Sequence, residues 1–194
     1  MMSEKNTRDQ IIDAADLLVY RQGFEHTSFS DIAGSVGISR GNFYYHFKTK
    51  DEILAAVIER RMENTRAMLD LWTREHDNPV DRIRSFVNIL ILNRGNIKQY
   101  GCPVGTLTSE LAKLNHHSLA EANKVFSLFR NWLRKQFIAM GRKQDAEELA
   151  MHVLAFSQGV ATLVNAFPSD KFIRYEVEMM DAWLAGLADE PDTR

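Results

Sequence analysis

The sequence predicts an all-α fold of about nine helices, on three observations. Apolar residues recur at spacings of three and four along nearly the whole chain, the signature of one buried helix face. Helix-start signals punctuate it repeatedly, while no stretch of useful length alternates with a period of two. Gly and Pro are sparse, 10 and 4 in 194 residues, leaving little material for a loop-rich all-β chain.

The elements follow in order. Thr7-Arg8-Asp9-Gln10 has the form of a capping box. Ile11, Ala14, Ala15, Leu18 and Val19 behind it give a first helix from Thr7 to Gln22, with Gly23 as its C-terminal cap. Ser28-Phe29-Ser30-Asp31 opens a second helix, with Ile32, Ala33 and Val36 facing inward, and Gly37 breaks it. Ser39 caps a third, short helix carrying Phe43, Tyr44 and Phe47. Thr49-Lys50-Asp51-Glu52 is a capping box for a long fourth helix that no Pro or Gly interrupts before Asn78-Pro79. Asn78 and Pro79 read as N-cap and first helical residue of a fifth. Gly95 to Gly105 is expected to be a connection, followed by a sixth helix from Thr106 to Asn115. Ser118 to Glu121 caps a seventh running to Met140. Asp145 begins an eighth, apolar on more than one face and ended by Pro168. A ninth runs from Asp170 to Leu187, and the polar Asp189 to Arg194 is expected to fray. No internal repeat is visible.

Composition excludes several classes of protein. With 45% hydrophobic and 26% charged residues, the chain carries enough apolar material to fold. One cysteine forms no intramolecular disulfide and no multi-cysteine zinc site. No apolar run approaches the roughly 18 residues of a membrane span. The polar start, Met1 to Asn6, lacks the apolar core of a signal peptide. The expectation is a soluble, cytoplasmic protein with no membrane partner. A net charge of −2 gives no global indication of a nucleic-acid partner, so such a reading rests on a local patch.

That patch lies in residues 28–47 and just beyond. Two short helices joined by a tight turn at Gly37 make a helix-turn-helix. Glycine enters the left-handed region without a Cβ clash, and Ala33 is small where the helices cross. Between Ser39 and Lys50 stand Arg40, Lys48 and Lys50 with no acidic residue, although residues 1–52 carry six bases against eight acids. A solvated basic face of an ordinary helix pair accounts for the charge alone. The polar, small-residue start of the third helix instead suits insertion into a major groove.

Thr27-Ser28-Phe29-Ser30-Asp31-Ile32-Ala33, Gly37-Ile38-Ser39-Arg40-Gly41-Asn42-Phe43-Tyr44-Tyr45-His46-Phe47, Lys50 and Ile53-Leu54 together resemble the TetR family of repressors over about 28 residues. The resemblance implies a DNA-binding domain over residues 1–50 and a ligand-binding and dimerisation domain over 51–194. It also implies double-stranded operator DNA, a small-molecule inducer and a second copy of the chain as partners, with no cofactor. Ser30, Ser39, Arg40, Gly41, Asn42 and Tyr44 fall where family members contact the operator. Arg40 is the candidate for base readout, since guanidinium matches guanine O6 and N7 bidentately. Tyr45 and His46 are expected at backbone phosphate or in support of the helix. Lys50, Thr27 and Ser28 are expected at phosphates near helix N-termini. Phe43 and Phe47 read as core.

The rest of the chain is less explicit. A helix apolar nearly all round is buried on all sides. Val153, Val160, Leu163, Val164 and Phe167 of the eighth helix, with Met180 and Trp183 of the ninth, are therefore expected at a dimer interface; a central core helix in a monomer is the other reading. A dimer would set two readers about 34–36 Å apart, one turn of DNA. Trp72, Phe86, Phe126, Phe129, Trp132, Phe137 and Phe156 fill a core or line a ligand cavity, and the sequence does not separate the two. Asn93, Thr106, Thr108, His152, Gln158 and Asn165 are polar groups able to orient a ligand or to serve structure. Cys102, in Gly101-Cys102-Pro103-Val104-Gly105, is either a small buried hydrophobe or a sensor thiol. The Gly-Cys step resembles a subgroup of the family in which some members sense electrophiles or oxidants.

Other functions find little support. The six histidines include no H-E-x-x-H pattern, His116 and His117 are expected to point apart on a helix, and no P-loop or G-x-G-x-x-G is present. No enzyme and no metal site is expected. A helical interaction module without DNA binding would be expected to lack the reader that this sequence retains.

Overall fold

The computed structural model describes residues 6–189. Within them lie ten helices and no strand: α1 (Thr7–Gln22), α2 (Phe29–Val36), α3 (Arg40–His46), α4 (Lys50–Glu75), α5 (Pro79–Leu92), α6 (Arg94–Tyr100), α7 (Pro103–Lys113), α8 (Leu119–Ala139), α9 (Ala146–Ala166) and α10 (Asp170–Asp189). The all-α expectation holds. Residues 1–5, in the leader-free reading, and 190–194, in the frayed-tail reading, lie outside the described residues.

Helix ends differ from expectation in three places. Asn6, not Thr7, is the N-cap of α1; its side-chain oxygen accepts the Asp9 N–H at 2.9 Å, moving Thr7 to the first helical position. The stretch from Gly95 to Gly105 is not a plain connection, because it contains α6. Asn93 O accepts the Ile97 N–H at 3.0 Å, and Ile97 is buried, so a glycine in the first turn does not prevent the helix. Gly101, at φ 78°, ends α6, and Pro103 starts α7 three residues before the expected Thr106.

The chain packs as two compact units. Among the described residues, one unit comprises 6–64 and 103–125; the other comprises 65–102 and 126–189. In the first, α1 packs on α2 and on α7, and α2 packs on α3. Arg60 binds Asp9 at 2.5 Å and Asp13 at 2.6 Å, tying α4 to α1. Arg61, almost fully buried, bonds Asp16 and the Pro103 carbonyl, each at 2.6 Å. These contacts hold α4 through its fourth turn, and with it the start of α7, to the N-terminal helices.

In the second unit, α10 packs on α5 and α9, and α9 also on α5 and α6. Lys98 pairs with Asp170 at 2.7 Å and holds its carboxyl below the usual carboxylate range. One face of α9 is buried: Ala146, Ala150, Val153, Leu154, Ser157, Val160, Ala161 and Val164. By length and composition α9 is apolar enough to cross a membrane, and part of that apolar stretch is buried within the chain. Ser157, Gln158 and Asn165 interrupt its apolar run.

Candidate nucleic-acid interface

Local chemistry dictates the α2–turn–α3 geometry. Ser28 Oγ accepts the Asp31 N–H at 3.2 Å, while the Asp31 carboxylate accepts the Ser28 N–H at 2.9 Å and its hydroxyl at 2.7 Å. This reciprocal box fixes the start of α2. The bonds from the Ser28 hydroxyl and N–H hold the Asp31 carboxyl below its ordinary value. Gly37, at φ 73° and ψ 31°, turns the chain, and the Ile38 N–H returns to the Ala33 carbonyl at 3.1 Å. Ser39 then caps α3 by accepting the Asn42 N–H at 3.2 Å. Phe43 and Phe47 are buried, as expected, against Ile11, Ile12 and Ala15 of α1, Ile32 and Ala33 of α2, and Ile53 and Val57 of α4.

This inward anchoring leaves a polar outer face. Ser30, Ser39, Arg40, Gly41, Asn42, Tyr44 and Tyr45 are exposed, and His46 is half-buried with its ring edge-on to Tyr45 at 5.1 Å. Tyr45 is 79% exposed, too much for an apolar ring to serve the core. Tyr44 sets its ring edge-on to Phe29 at 5.6 Å, leaving the other side of the ring outward. The Arg40 guanidinium donates to Ser30 Oγ at 3.0 Å, a neutral acceptor that leaves its charge uncompensated by that contact. The Lys48 ammonium reaches the Tyr44 carbonyl at the end of α3, placing a second cation there.

Three of the expected phosphate contacts are committed internally. Thr27 is buried; its hydroxyl donates to the Gly23 carbonyl at 2.7 Å and its N–H to Phe24 O at 3.2 Å. The Ser28 hydroxyl is spent in the capping box. The Lys50 ammonium folds back to the Glu25 carbonyl at 2.9 Å and lies 4.7 Å from the Phe24 ring centroid. All three complete the α1–α2 turn, a demand of the loop backbone that residue type alone does not reveal.

In the second unit the aromatic side chains meet in pairs. Trp72 and Trp132 lie 5.7 Å apart, Phe86 and Phe129 5.3 Å apart, and the Trp132 indole N–H donates to Thr73 Oγ1 at 2.9 Å. Phe126 and Phe156 are half-buried, whereas Asn93 and His152 are exposed. His152 and Trp183, expected at different sites, have rings only 4.9 Å apart. Cys102 is half-buried, with the Gln158 amide donating to its Sγ at 3.4 Å. Thr108 is buried and bonds its own helix, and Asn165 bonds the Lys98 carbonyl.

The expected dimer residues divide. Val153, Val160, Val164 and Met180 are buried within the chain's own core, so their side chains are not available to a second copy. Leu163 and Phe167 are 47% and 71% exposed. The cause is that α9 is apolar on two sides, and sequence alone does not tell the inner side from the outer.

His116 and His117 lie in the turn between α7 and α8 rather than on a helix, and their rings stack at 4.5 Å instead of pointing apart. His116 Nε2 and His117 Nε2 face the two Asp51 oxygens at 3.3 and 3.9 Å, a donor set of metal-ligand type. However, His116 Nδ1 accepts the Ser118 N–H at 3.1 Å. In the neutral ring this leaves the proton on Nε2, facing Asp51, where a metal would need a lone pair. The cluster is therefore arranged for hydrogen bonding rather than ligation.

A capped short helix, joined through a left-handed glycine to its predecessor and presenting an outward arginine, makes α2 and α3 a helix-turn-helix of the DNA-binding class. The profile for bacterial regulatory proteins of the tetR family matches residues 11–57. That for the C-terminal domain of LmrA/YxaF-like transcriptional regulators matches residues 79–175. The chain is 40% identical over 167 residues to the HTH-type transcriptional regulator TtgR of Pseudomonas putida, covering 80% of this chain and 79% of that protein. It is 29% identical over 125 residues to an HTH-type transcriptional regulator from the lacX 3' region of Lactococcus lactis, spanning 63% of this chain and 64% of that relative. A TetR transcriptional regulator from Legionella pneumophila has the same fold, with a TM-score of 0.84 at 24% identity over 94% of this chain and 99% of that one. The chain belongs to the TetR family of transcriptional regulators.

Proposed function

We propose that the chain is a cytoplasmic repressor that binds a pseudo-palindromic operator as a homodimer and leaves it when a small molecule binds in the helical body. Residues 1–50 carry the reader and 51–194 carry ligand binding and dimerisation. The single observation supporting the DNA reading most strongly is the outward Arg40 guanidinium at the capped start of α3. Ser30, Ser39, Gly41, Asn42, Tyr44, Tyr45 and His46 flank it as further contacts to backbone or bases. Thr27, Ser28 and Lys50 act beneath them by shaping the α1–α2 turn.

The dimer contact is assigned to the outer faces of α9 and α10. Met151, Ala155, Gly159, Leu163 and Ala166 form an exposed apolar face on α9, and Tyr175 and Met179 do so on α10. The small side chains permit close helix approach, and the apolar area left on a lone chain favours a partner. Electrophoretic mobility shift with DNA flanking the chain's own gene tests the reading: a shift that non-specific competitor does not abolish is expected, and no shift against any flanking segment contradicts it.

A second reading concerns the inducer. The Gln158 amide at Cys102 Sγ places a polar group of α9 against the sole thiol, so thiol modification would disturb a contact inside the second unit. A reversible ligand held among the aromatic pairs is the first reading, because the Trp72–Trp132 and Phe86–Phe129 pairs gather large rings within one unit.

A further inference from the structure

The α1–α2 turn carries more backbone polar groups than its own residues satisfy. Thr27 holds the Gly23 and Phe24 carbonyls and the Gln22 side-chain amide donates to the His26 carbonyl, while Lys50 at the start of α4 donates to the Glu25 carbonyl. The N–H groups of Phe24 and Glu25 are satisfied from far along the chain. Both donate to the Glu110 carboxylate of α7, at 2.9 Å each, one to each oxygen. Gly23 is shaped to this approach: a Cβ there would meet the two Glu110 oxygens at 3.0 and 3.2 Å, and its φ of 89° already disfavours a side chain. Beside the clamp, the His116 ring stands edge-on to Phe24 at 5.3 Å. Leu107 and Leu111 anchor α7 by burial on either side of Glu110.

We propose that Glu110 is a positioning residue for operator binding: its carboxylate clamps the α1–α2 turn and so sets the pose from which α2 and α3 meet DNA. The inference rests on the DNA-binding reading above. The turn leads directly into Ser28, the cap of α2, and α2 carries Ser30, on which the Arg40 guanidinium rests. A shift of the turn therefore moves the partner of the base-reading side chain. The clamp reaches the reader from beyond residues 11–57, so the reader's geometry is completed by α7, which belongs to the same compact unit.

The sign of the effect separates this role from simple charge. Deleting an anion from a DNA-binding protein strengthens phosphate attraction, so Glu110→Ala or Glu110→Gln acting only through charge would tighten DNA binding. A lost clamp weakens it. On the full-length protein, fluorescence anisotropy with a duplex from the flank of its own gene, against a scrambled duplex, should show Glu110→Ala losing about ten- to a hundredfold in affinity for the specific duplex, as expected for two charge-assisted bonds. The scrambled duplex should change little. Glu110→Gln, which keeps the volume and one acceptor, should fall between wild type and Ala. Hydrogen exchange at Phe24 and Glu25 should accelerate in both variants while α3 and α4 remain protected. Gly23→Ala should reproduce the loss and combine with Glu110→Ala non-additively. Specific binding equal to or tighter than wild type in Glu110→Gln, unchanged Phe24 and Glu25 exchange, or additive Gly23 and Glu110 losses would overturn the proposal. A wild-type protein that binds neither duplex would instead overturn the DNA-binding reading, and the exchange measurement would still decide whether the clamp exists.

Discussion

Helices α3 and α9 both leave a face uncovered, and the two faces are opposite in chemistry. The outer face of α3 is polar, cationic and only seven residues long; the outer face of α9 belongs to a 21-residue helix and is apolar and small. A short helix has no internal reason to persist, and α3 persists because Ser39 caps it and Phe43 and Phe47 bury its other side. The α9 helix is secured by its inner face alone, so its apolar outer face is surplus to the fold of a single chain. One surface is suited to a polyanion, the other to a copy of itself.

The largest expected effect lies in α9. Val160→Glu places a charge in the chain's own core and should destabilise it by on the order of 3–5 kcal/mol, enough to unfold most of a marginal domain in a thermal melt. Leu163→Glu, three residues on but outward, should leave melting nearly unchanged and convert a dimer to a folded monomer in sedimentation. Identical behaviour of the two variants would erase the distinction between the faces. Because a monomer presents one reader, Leu163→Glu should also lose most specific DNA affinity, which gel shift measures; retained affinity would remove the need for α9 as an interface.

A smaller effect bears on the inducer. Cys102→Ser keeps the shape of the site but replaces the nucleophile. DNA release by quinones, maleimides or peroxide should be the same in Cys102→Ser and wild type if the aromatic pairs hold a reversible ligand. Selective resistance of Cys102→Ser would make the thiol the switch.

The smallest effect is at the reader's base. Ser28→Ala removes a cap, at a cost of about 1 kcal/mol. It also removes the hydroxyl that holds the Asp31 carboxyl below its ordinary value of 3.8. A carboxyl with a depressed folded-state pKa contributes stability above its unfolded value and loses it as pH falls through the folded one. The penalty of Ser28→Ala should therefore be largest above pH about 4 and shrink toward more acid pH, without vanishing, since the cap to the Asp31 N–H does not titrate. A pH-independent penalty in denaturant melts would argue that the hydroxyl–carboxylate bond adds nothing.

What was legible in the sequence follows the range of the forces. The caps at Ser28, Ser39 and Asn78, the left-handed turn at Gly37 and the inward Phe43 and Phe47 are set by neighbours within a few positions, and residue type revealed them. The α6 helix escaped notice because Gly95 reads as a breaker, while Ile97 is held by packing invisible in the sequence. The inner and outer faces of α9 could not be told apart, since both are apolar and only packing on α5, α6 and α10 chooses between them. Thr27 and Lys50 have the chemistry of phosphate contacts, but the backbone of the α1–α2 turn claims them. Glu110 carried no signal, because its partners lie more than eighty positions away.

The central claim is that α3 reads sequence through Arg40. Its most direct test compares wild type and Arg40→Ala on the DNA flanking the gene and on variants with each base pair changed, at one fixed salt concentration. The expected result is a loss of about 1–3 kcal/mol of discrimination at one base pair of each half-site, with dimer mass and thermal stability unchanged. Equal affinity and equal base preference in the two proteins would contradict the claim.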